Sequence, residues 1–306
     1  MSLVILNEMG PRAEAAIRSA VPDAEVVAVG PEPPESGTRA DVFFGGYGPH
    51  SLAYAACVAW VQLPGTGVDK VPAEMYEGRI VTCARGASSV AISEFVLAAI
   101  LAFEKHIPEV WLDEPPEHWN FGDLGGLNGK TLGLVGLGGI GAAIAARALP
   151  FGMRVRAVRR TDTPSPIDAV EVLTDRRELF ATADHLVLAV PATGRTRHLI
   201  DADAFAAMKP GVHLVNIARG SLVDQDALRV ALDDGRVARA TLDTVEPEPL
   251  PAGHWLYEHA NVRLSAHVSW VSPVGFEPAL AIFVENLRRY VRGDALVGVV
   301  DRDAGY

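Results

Sequence analysis

Three side chains suited to acid–base chemistry follow successive apolar segments in the second half of the chain: Arg219, Glu248 and His267. A guanidinium can hold a carboxylate and polarise a carbonyl, an imidazole can donate a proton, and a carboxylate can orient that imidazole. Taken alone, each of these residues is also typical of a surface charge or of a structural contact. Because ligands bind beyond the carboxyl ends of parallel strands, their joint occurrence at strand ends predicts one catalytic site.

A glycine-rich loop precedes these residues and fits the pattern G-x-G-x-x-G. It directly follows the apolar segment 131–135 and opens the alanine-rich segment 140–149, which is the context that a dinucleotide-binding loop requires. The glycines permit a tight turn, a close approach of a pyrophosphate and close helix packing, with the phosphates at the helix N-terminus. The alternative is a purely structural turn. The predicted cofactor contacts here are Gly136, Gly138, Gly139, Ile140 and Gly141.

The next strand-like segment ends in Arg159-Arg160-Thr161, without an acidic residue at the strand end. An Asp or Glu at this place would bind the ribose 2′-hydroxyl of NAD, whereas paired guanidinium groups suit the 2′-phosphate of NADP. The sequence therefore favours NADP. Asp162 leaves NAD open, and the two arginines could instead be solvated surface charges.

The pattern of apolar segments predicts the elements that position these groups. Strand and helix signals alternate in both halves, which indicates parallel sheets covered by helices. The predicted strands are 3–6, 25–29, 41–44, 58–63, 80–83, 131–135, 154–158, 185–190, 212–217, 238–242 and 262–265. The predicted helices include 11–20, 88–111, 140–149 and 279–292, the last ending at Gly293.

Composition excludes several classes of protein. The 306 residues are 49% hydrophobic and 21% charged, which is typical of a globular chain of about two domains. The net charge of −11 argues against a nucleic-acid partner. Cys57 and Cys83 form no CxxC motif, so no metal site is predicted. Without a signal peptide or a bilayer-length apolar segment, we expect a cytoplasmic protein with no membrane partner.

Taken together, the motifs resemble the D-isomer-specific 2-hydroxyacid dehydrogenase family. The resemblance covers much of the chain, in the order that the family shows. The matching segments are 127–133 with the glycine loop, 208–211, 216–224, 242–251, 265–267 and 286–290 with Gly293.

The resemblance implies roles for the three catalytic candidates. Arg219 would bind the substrate carboxylate and carbonyl. His267 would be the acid in reduction and the base in oxidation, and Glu248 would favour its protonated form. Asp243 would contact the nicotinamide carboxamide. The other implied cofactor contacts are Val190, Pro191 and Ala218.

The first half carries implied substrate contacts. Gly65-Thr66-Gly67 looks like the family's glycine turn, whose backbone N–H groups hold the substrate carboxylate, although it could be an ordinary strand-to-helix loop. Two residues depart from the expected pattern. Arg85 could add a cation to the substrate site or face solvent, and Trp270 could narrow the pocket or pack structurally.

The resemblance also implies an architecture and an activity. The fold would be α/β, with a Rossmann cofactor domain (96–279) inserted into a flavodoxin-like substrate domain (1–95 and 280–306), both doubly wound, in a homodimer. The activity would be reduction of a small 2-keto acid, glyoxylate or hydroxypyruvate above all. Phosphoglycerate or another D-2-hydroxyacid dehydrogenase remains an alternative, as does an NAD(H)-sensing corepressor.

Overall fold

A computed structural model describes residues 2–120, 122–161 and 163–306. The chain divides into two compact units, of which the first comprises the segments that end at Ser88 and begin at Ser272. The second unit, Ser89–Val271, is inserted into the sequence of the first. These boundaries lie before the expected boundaries at 95–96 and 279–280. They differ because the helices at the two crossings each stay whole within one unit.

The described residues form strands and helices in close alternation. The strands are β1 (Val4–Asn7), β2 (Glu25–Ala28), β3 (Val42–Phe44), β4 (Trp60–Leu63), β5 (Ile80–Cys83), β6 (Thr131–Val135), β7 (Arg154–Val158), β8 (Val170–Leu173), β9 (His185–Leu188), β10 (Val212–Asn216), β11 (Val237–Leu242) and β12 (Val262–Leu264). The α-helices are α1 (Pro11–Ala20), α2 (Pro49–Ala55), α3 (Ser89–Glu104), α4 (Gly139–Ala148), α5 (Arg176–Thr182), α6 (Ala202–Ala207), α7 (Gln225–Asp233) and α8 (Glu277–Arg292).

The first unit has a five-stranded parallel sheet in the order β2-β1-β3-β4-β5. One apolar cluster joins the sheet to α1 and α8, with Phe44, Trp60 and Phe283 in ring contact. A second cluster joins it to α2. This is the flavodoxin-like strand order, in which the order of strand addition reverses between β1 and β3.

The second unit has a seven-stranded parallel sheet in the order β12-β11-β10-β9-β6-β7-β8. Side chains alternate between its faces, as the two-residue period of a strand requires. Leu186 and Leu188 join the cluster with α5, α6 and α7, whereas Val187 joins the cluster with α3 and α4. The sheet is therefore doubly wound, as predicted, and its switch point lies between β6 and β9.

Three elements differ from the sequence-based expectations. The predicted helix 88–111 was too long, because α3 ends at Glu104 and His106 adopts a positive φ of 50° two residues before Pro108. Strand β8 and helix α2 were not predicted.

Among the described residues, no helix combines the length and apolar character needed to cross a membrane.

Candidate active site

The glycine-rich loop joins β6 to α4, and each glycine of the pattern has a separate physical reason. Gly136 has a φ of +106°, and a Cβ there would lie 2.5 Å from the carbonyl oxygen of Ala189. A Cβ at Gly141 would lie 2.3 Å from the carbonyl oxygen of Gly136. At Gly138, the N-cap of α4, no atom lies within 4 Å of that position. Open space at a helix N-terminus fits an anion such as a pyrophosphate.

The strand ends around this loop carry the other predicted cofactor residues. Val190 is half-buried and lies against the Gly136 turn, and Pro191 follows it. Beyond β7, the Arg159 guanidinium donates a hydrogen bond of 3.2 Å to the Pro164 carbonyl. Arg160 and Thr161 are exposed. Asp162 lies outside the described residues.

Arg219 follows β10 in a loop that Asn216 organises. The buried Asn216 amide donates to the Arg219 carbonyl at 2.8 Å and accepts from the N–H of Ala218 at 3.1 Å. The half-buried Arg219 side chain in turn donates to the Ala218 carbonyl at 2.7 Å. These bonds hold the backbone that presents the guanidinium.

Gly220 brings the loop of Arg219 against the loop that leads to Glu248. A Cβ at Gly220 would lie 1.9 Å from the carbonyl carbon of Val245, a separation that no side chain can occupy. The loops after β10 and β11 are thus packed backbone against backbone, which only glycine permits.

Glu248 and His267, which the family resemblance pairs, lie within hydrogen-bond distance of each other. His267 Nδ1 lies 3.1 Å from Glu248 Oε2, and the side chains are 37% and 24% exposed. The other carboxylate oxygen of Glu248 accepts the N–H of Val245 at 3.2 Å. A carboxylate on Nδ1 fixes the orientation of the ring and leaves chemistry to Nε2.

Asp243 holds the loop that carries His267, which sequence reasoning had not foreseen. Its buried carboxylate accepts hydrogen bonds from the Ser265 hydroxyl (2.6 Å) and the N–H groups of Val268 (2.8 Å) and Ser269 (3.0 Å). Burial acts to raise the pKa of Asp243, but these donors outweigh it and leave the pKa lowered. The charged carboxylate is therefore the stable form, and it clamps the loop.

The clamp coincides with an unusual backbone at His267, whose φ is +56°. A residue other than glycine adopts this conformation only where its surroundings enforce it, and such positions concentrate at functional sites. The His267 N–H also donates to the Asp243 carbonyl at 2.9 Å. Trp270, which is 52% exposed, donates its indole N–H to the His267 carbonyl at 2.9 Å.

The predicted substrate contacts of the first unit lie after β4 and β5. The Thr66 hydroxyl donates to the Ala84 carbonyl at 3.0 Å, and the Ala84 N–H donates to the Gly65 carbonyl at 2.9 Å. Arg85 is exposed, and its guanidinium carbon lies 5.8 Å from the centre of the Tyr306 ring. Arg85 therefore contacts a side chain of its own unit.

No group of three or more His, Cys, Asp or Glu side chains suited to a metal ion occurs within residues 2–120, 122–161 and 163–306. Asn216, Gly220 and Asp243 all lay within motifs that the sequence had singled out. Their spacing gave no sign of the loop contacts that they make.

Comparison with known proteins places this arrangement in a family. The family model described as "D-isomer specific 2-hydroxyacid dehydrogenase, NAD binding domain" matches residues 97–269. A glyoxylate reductase of Thermofilum pendens is 35% identical over 76% of this chain and 71% of its own length. A D-3-phosphoglycerate dehydrogenase of Methanocaldococcus jannaschii is 34% identical over 78% of this chain. The chain spans only 46% of the length of that dehydrogenase.

A solved structure agrees over the whole chain. A D-isomer specific 2-hydroxyacid dehydrogenase from Xanthobacter autotrophicus Py2, crystallised with NADPH and MES, has a TM-score of 0.84 and 26% identity. The alignment covers 100% of this chain and 99% of the other. The chain belongs to the D-isomer specific 2-hydroxyacid dehydrogenase family.

Proposed function

We propose that this chain is a nicotinamide-dependent reductase of small 2-keto acids, with glyoxylate and hydroxypyruvate as the first candidates. The observation that carries the proposal is the Glu248–His267 pair at 3.1 Å, in a unit whose sheet also bears the glycine loop. The relatives named glyoxylate reductase in Thermofilum pendens and hydroxypyruvate reductase in Thermotoga maritima support it.

The residues divide the work of reduction. The bound nicotinamide cofactor supplies the hydride. Arg219 holds the substrate carboxylate and polarises the keto oxygen, because a guanidinium matches a planar carboxylate and stabilises developing negative charge. His267 delivers a proton from Nε2 to the forming alkoxide, while Glu248 keeps Nδ1 engaged and stabilises the imidazolium. In oxidation the same nitrogen takes the proton back.

The first unit contributes substrate contacts in this proposal. The N–H groups of Gly65, Thr66 and Gly67 bind the carboxylate, and no heavy atom lies within 4 Å of a Cβ built at Gly65. Arg85 adds positive charge near the same strand ends. Trp270, on the loop of His267, borders the part of the substrate beyond the keto carbon.

The cofactor is NADP in preference to NAD in this proposal. Arg159 and Arg160 follow β7, where a ribose substituent would lie, and they suit a 2′-phosphate. Val190, Pro191, Ala218 and Asp243 complete the cofactor contacts. The Xanthobacter autotrophicus protein, which was crystallised with NADPH, supports the preference.

One assay tests both the reaction and the cofactor. The loss of nicotinamide absorbance is followed with NADPH and with NADH against glyoxylate, hydroxypyruvate, pyruvate and phenylpyruvate. We expect turnover, faster with NADPH. Faster turnover with NADH would overturn the cofactor preference alone. Tight cofactor binding without turnover of any substrate would contradict the reductase and favour the sensing alternative.

A double variant then tests whether Arg159 and Arg160 bind the 2′-phosphate. Arg159→Ser with Arg160→Ser should raise KM for NADPH about tenfold or more, because charge-assisted hydrogen bonds are worth about 1.5–3 kcal/mol. KM for NADH should stay unchanged. Arg154→Ser is the matched control, since Arg154 is an exposed arginine at the other end of β7. An equal change for both cofactors would contradict the assignment.

The proposal includes a homodimer formed through residues 110–124. Large apolar side chains are exposed along this segment: Trp111 is 69% exposed, Leu112 59%, Trp119 75% and Leu124 46%. Exposed apolar surface of this kind marks interaction sites. Trp111→Ser with Trp119→Ser should yield a monomer by light scattering, whereas an unchanged mass would exclude this segment.

A cytoplasmic location is also part of the proposal. Cys57 and Cys83 are free thiols, and the Cys83 side chain is buried. Thiols that stay reduced suit a reducing compartment. Fractionation of cells that express a tagged chain would test the location.

A further inference from the structure

A hydrogen-bonded cluster around one carboxylate, Glu8, lies outside the catalytic residues at the switch point of the first unit's sheet. Glu8 follows β1, and residues Gly45–Gly48 follow the neighbouring strand β3. The order in which strands are added to the sheet reverses between these two parallel strands, and in open α/β sheets ligands bind in the crevice at such a point. The position of Glu8 therefore draws attention to what its carboxylate does.

The Glu8 carboxylate forms hydrogen bonds with three groups, one in the β3–α2 loop and two in the first turn of α2. Its Oε2 accepts the Gly46 N–H at 2.6 Å, and its Oε1 lies 2.5 Å from His50 Nε2. The buried Ser51 hydroxyl donates to Oε1 at 3.1 Å. Glu8 is 17% and His50 38% exposed. One carboxylate thus ties together the start of the loop and the first turn of α2.

The Gly45–Gly48 loop has no space for a side chain at Gly45, and its backbone has little stiffness of its own. A Cβ at Gly45 would lie 2.3 Å from Glu8 Oε2 and 2.2 Å from the Phe43 ring, so glycine is required there. Tyr47 is the only residue with a side chain within Gly45–Gly48, and it is 39% exposed. Without Glu8, three glycines would leave the position of Tyr47 poorly fixed.

The neighbouring loop is the Gly65–Gly67 turn. Strands β3 and β4 are paired in register, and the Gly45 N–H donates to the Gln62 carbonyl at 3.2 Å. If the turn after β4 binds the substrate carboxylate, the loop after β3 lies beside the next atoms of the same substrate. This step rests on the proposed function.

We propose that Glu8 is a positioning residue that fixes the Gly45–Gly48 loop, and with it the fit of the group attached to the keto carbon. His50 and Ser51, both on α2, join Gly46 as hydrogen-bond partners of Glu8 and help to hold its carboxylate at this place. Glyoxylate bears only hydrogen at this place, whereas hydroxypyruvate and phenylpyruvate bear larger groups. Loss of Glu8 should therefore change KM selectively for the larger substrates.

The test compares KM and kcat of the full chain for the three substrates. Glu8→Ala should raise KM for hydroxypyruvate and phenylpyruvate about tenfold, that of glyoxylate less than about threefold, and leave kcat unchanged, since charge-assisted hydrogen bonds are lost. Glu8→Gln keeps an acceptor for Gly46 and should recover most of the loss. Glu14→Ala is the control, because Glu14 is a carboxylate of the same unit that pairs with Arg18 on α1.

The outcomes separate this inference from the proposed function. A wild-type chain that reduces none of these substrates would overturn both. An active wild type whose Glu8→Ala and Glu8→Gln variants match Glu14→Ala, or lose kcat equally for every substrate, would overturn the role of Glu8 alone. If Glu8→Ala does not fold, Glu8→Gln and His50→Asn carry the test, with a twofold or larger selective rise in KM expected for His50→Asn.

Discussion

Two of the histidine–carboxylate pairs in the second unit have the same chemistry in opposite surroundings. His267 and Glu248 lie 3.1 Å apart, 37% and 24% exposed, beyond the carboxyl ends of the strands. His185 and Glu104 also lie 3.1 Å apart, although the ring N–H does not point straight at the oxygen. They are 0% and 2% exposed, at the amino ends of the strands. The same residue types thus form an accessible pair in one place and a buried pair in the other.

The buried pair belongs to a larger cluster. Lys130 Nζ lies 2.6 Å from Glu104, His185 Nδ1 lies 3.3 Å from His213 Nδ1, and His213 Nε2 lies 2.9 Å from Thr241 Oγ1. Burial acts to raise the pKa of Glu104, but the contacts with His185 and Lys130 outweigh it and leave the pKa lowered. Burial holds the pKa of His213 well below its usual value, with the charges of His185 and Arg239 acting in the same direction.

The largest expected effect comes from the exposed pair. His267→Gln removes the proton donor and should lower turnover by about 10²–10⁴-fold, the usual contribution of a general acid. Cofactor binding and the melting temperature should stay at the wild-type values. Steady-state kinetics and a thermal melt check both, and turnover equal to that of the wild type would remove His267 from the mechanism.

The matching change in the buried pair should act on stability. Glu104→Ala leaves His185 and Lys130 without their carboxylate and should lower the free energy of unfolding by about 3 kcal/mol, as for other broken buried pairs. Turnover per folded molecule at low temperature should be unchanged. Glu109→Ala is the control, because Glu109 is an exposed carboxylate paired with Arg263 at 2.8 Å. If Glu104→Ala impaired turnover without loss of stability, the division between the two pairs would be wrong.

The buried cluster should also make stability depend on pH. Below about pH 6.5 the unfolded chain protonates His213 and the folded chain does not, so the free energy of unfolding should fall by up to about 1.4 kcal/mol per pH unit as pH decreases. The lowered pKa of Glu104 adds a loss in the same direction at more acidic pH. Denaturant unfolding between pH 7.5 and 5 measures the slope. His213→Asn should flatten it, and an equal slope in both proteins would exclude His213 as the source.

The smallest effect is expected from the loop that carries His267. Trp270→Phe removes only the indole hydrogen bond to the His267 carbonyl, and should lower kcat by about two- to tenfold, the worth of one hydrogen bond. Asp243 would still hold the loop. Trp255→Phe in the same unit is a control for loss of an indole, since Trp255 packs in the apolar cluster. A drop as large as that of His267→Gln would show that Trp270, and not Asp243, fixes the loop.

The family resemblance implied the exposed pair, whereas nothing in the sequence pointed to the buried one. Glu248 and His267 lie within segments that match the family's motifs, and Glu104 does not. Glu104 lies at the last turn of α3, and its contact with His185 depends on where that helix ends. The expected helix ran on to residue 111, which hid the cluster.

Other misses have the same origin in packing. Strand β8 is an edge strand of four residues after a proline-rich stretch, and Glu171 interrupts its short apolar run. The role of Asp243 depends on the Ser265 hydroxyl and on the N–H groups of Val268 and Ser269, and the left-handed backbone of His267 lies between these donors in the chain. Motif spacing carries no information on such backbone directions.

The backbone contact at Gly220 limits which positions of this chain can be varied in a mutational library. Any side chain at Gly220 would force the peptide of Val245 to move. Arg219 and Glu248 lie on the two loops that meet at this contact. If the proposed substrate contacts hold, diversity intended to alter substrate choice belongs at Tyr47, Arg85 and Trp270. Position 220 should be kept constant, because its variants would report a broken scaffold and not a new preference.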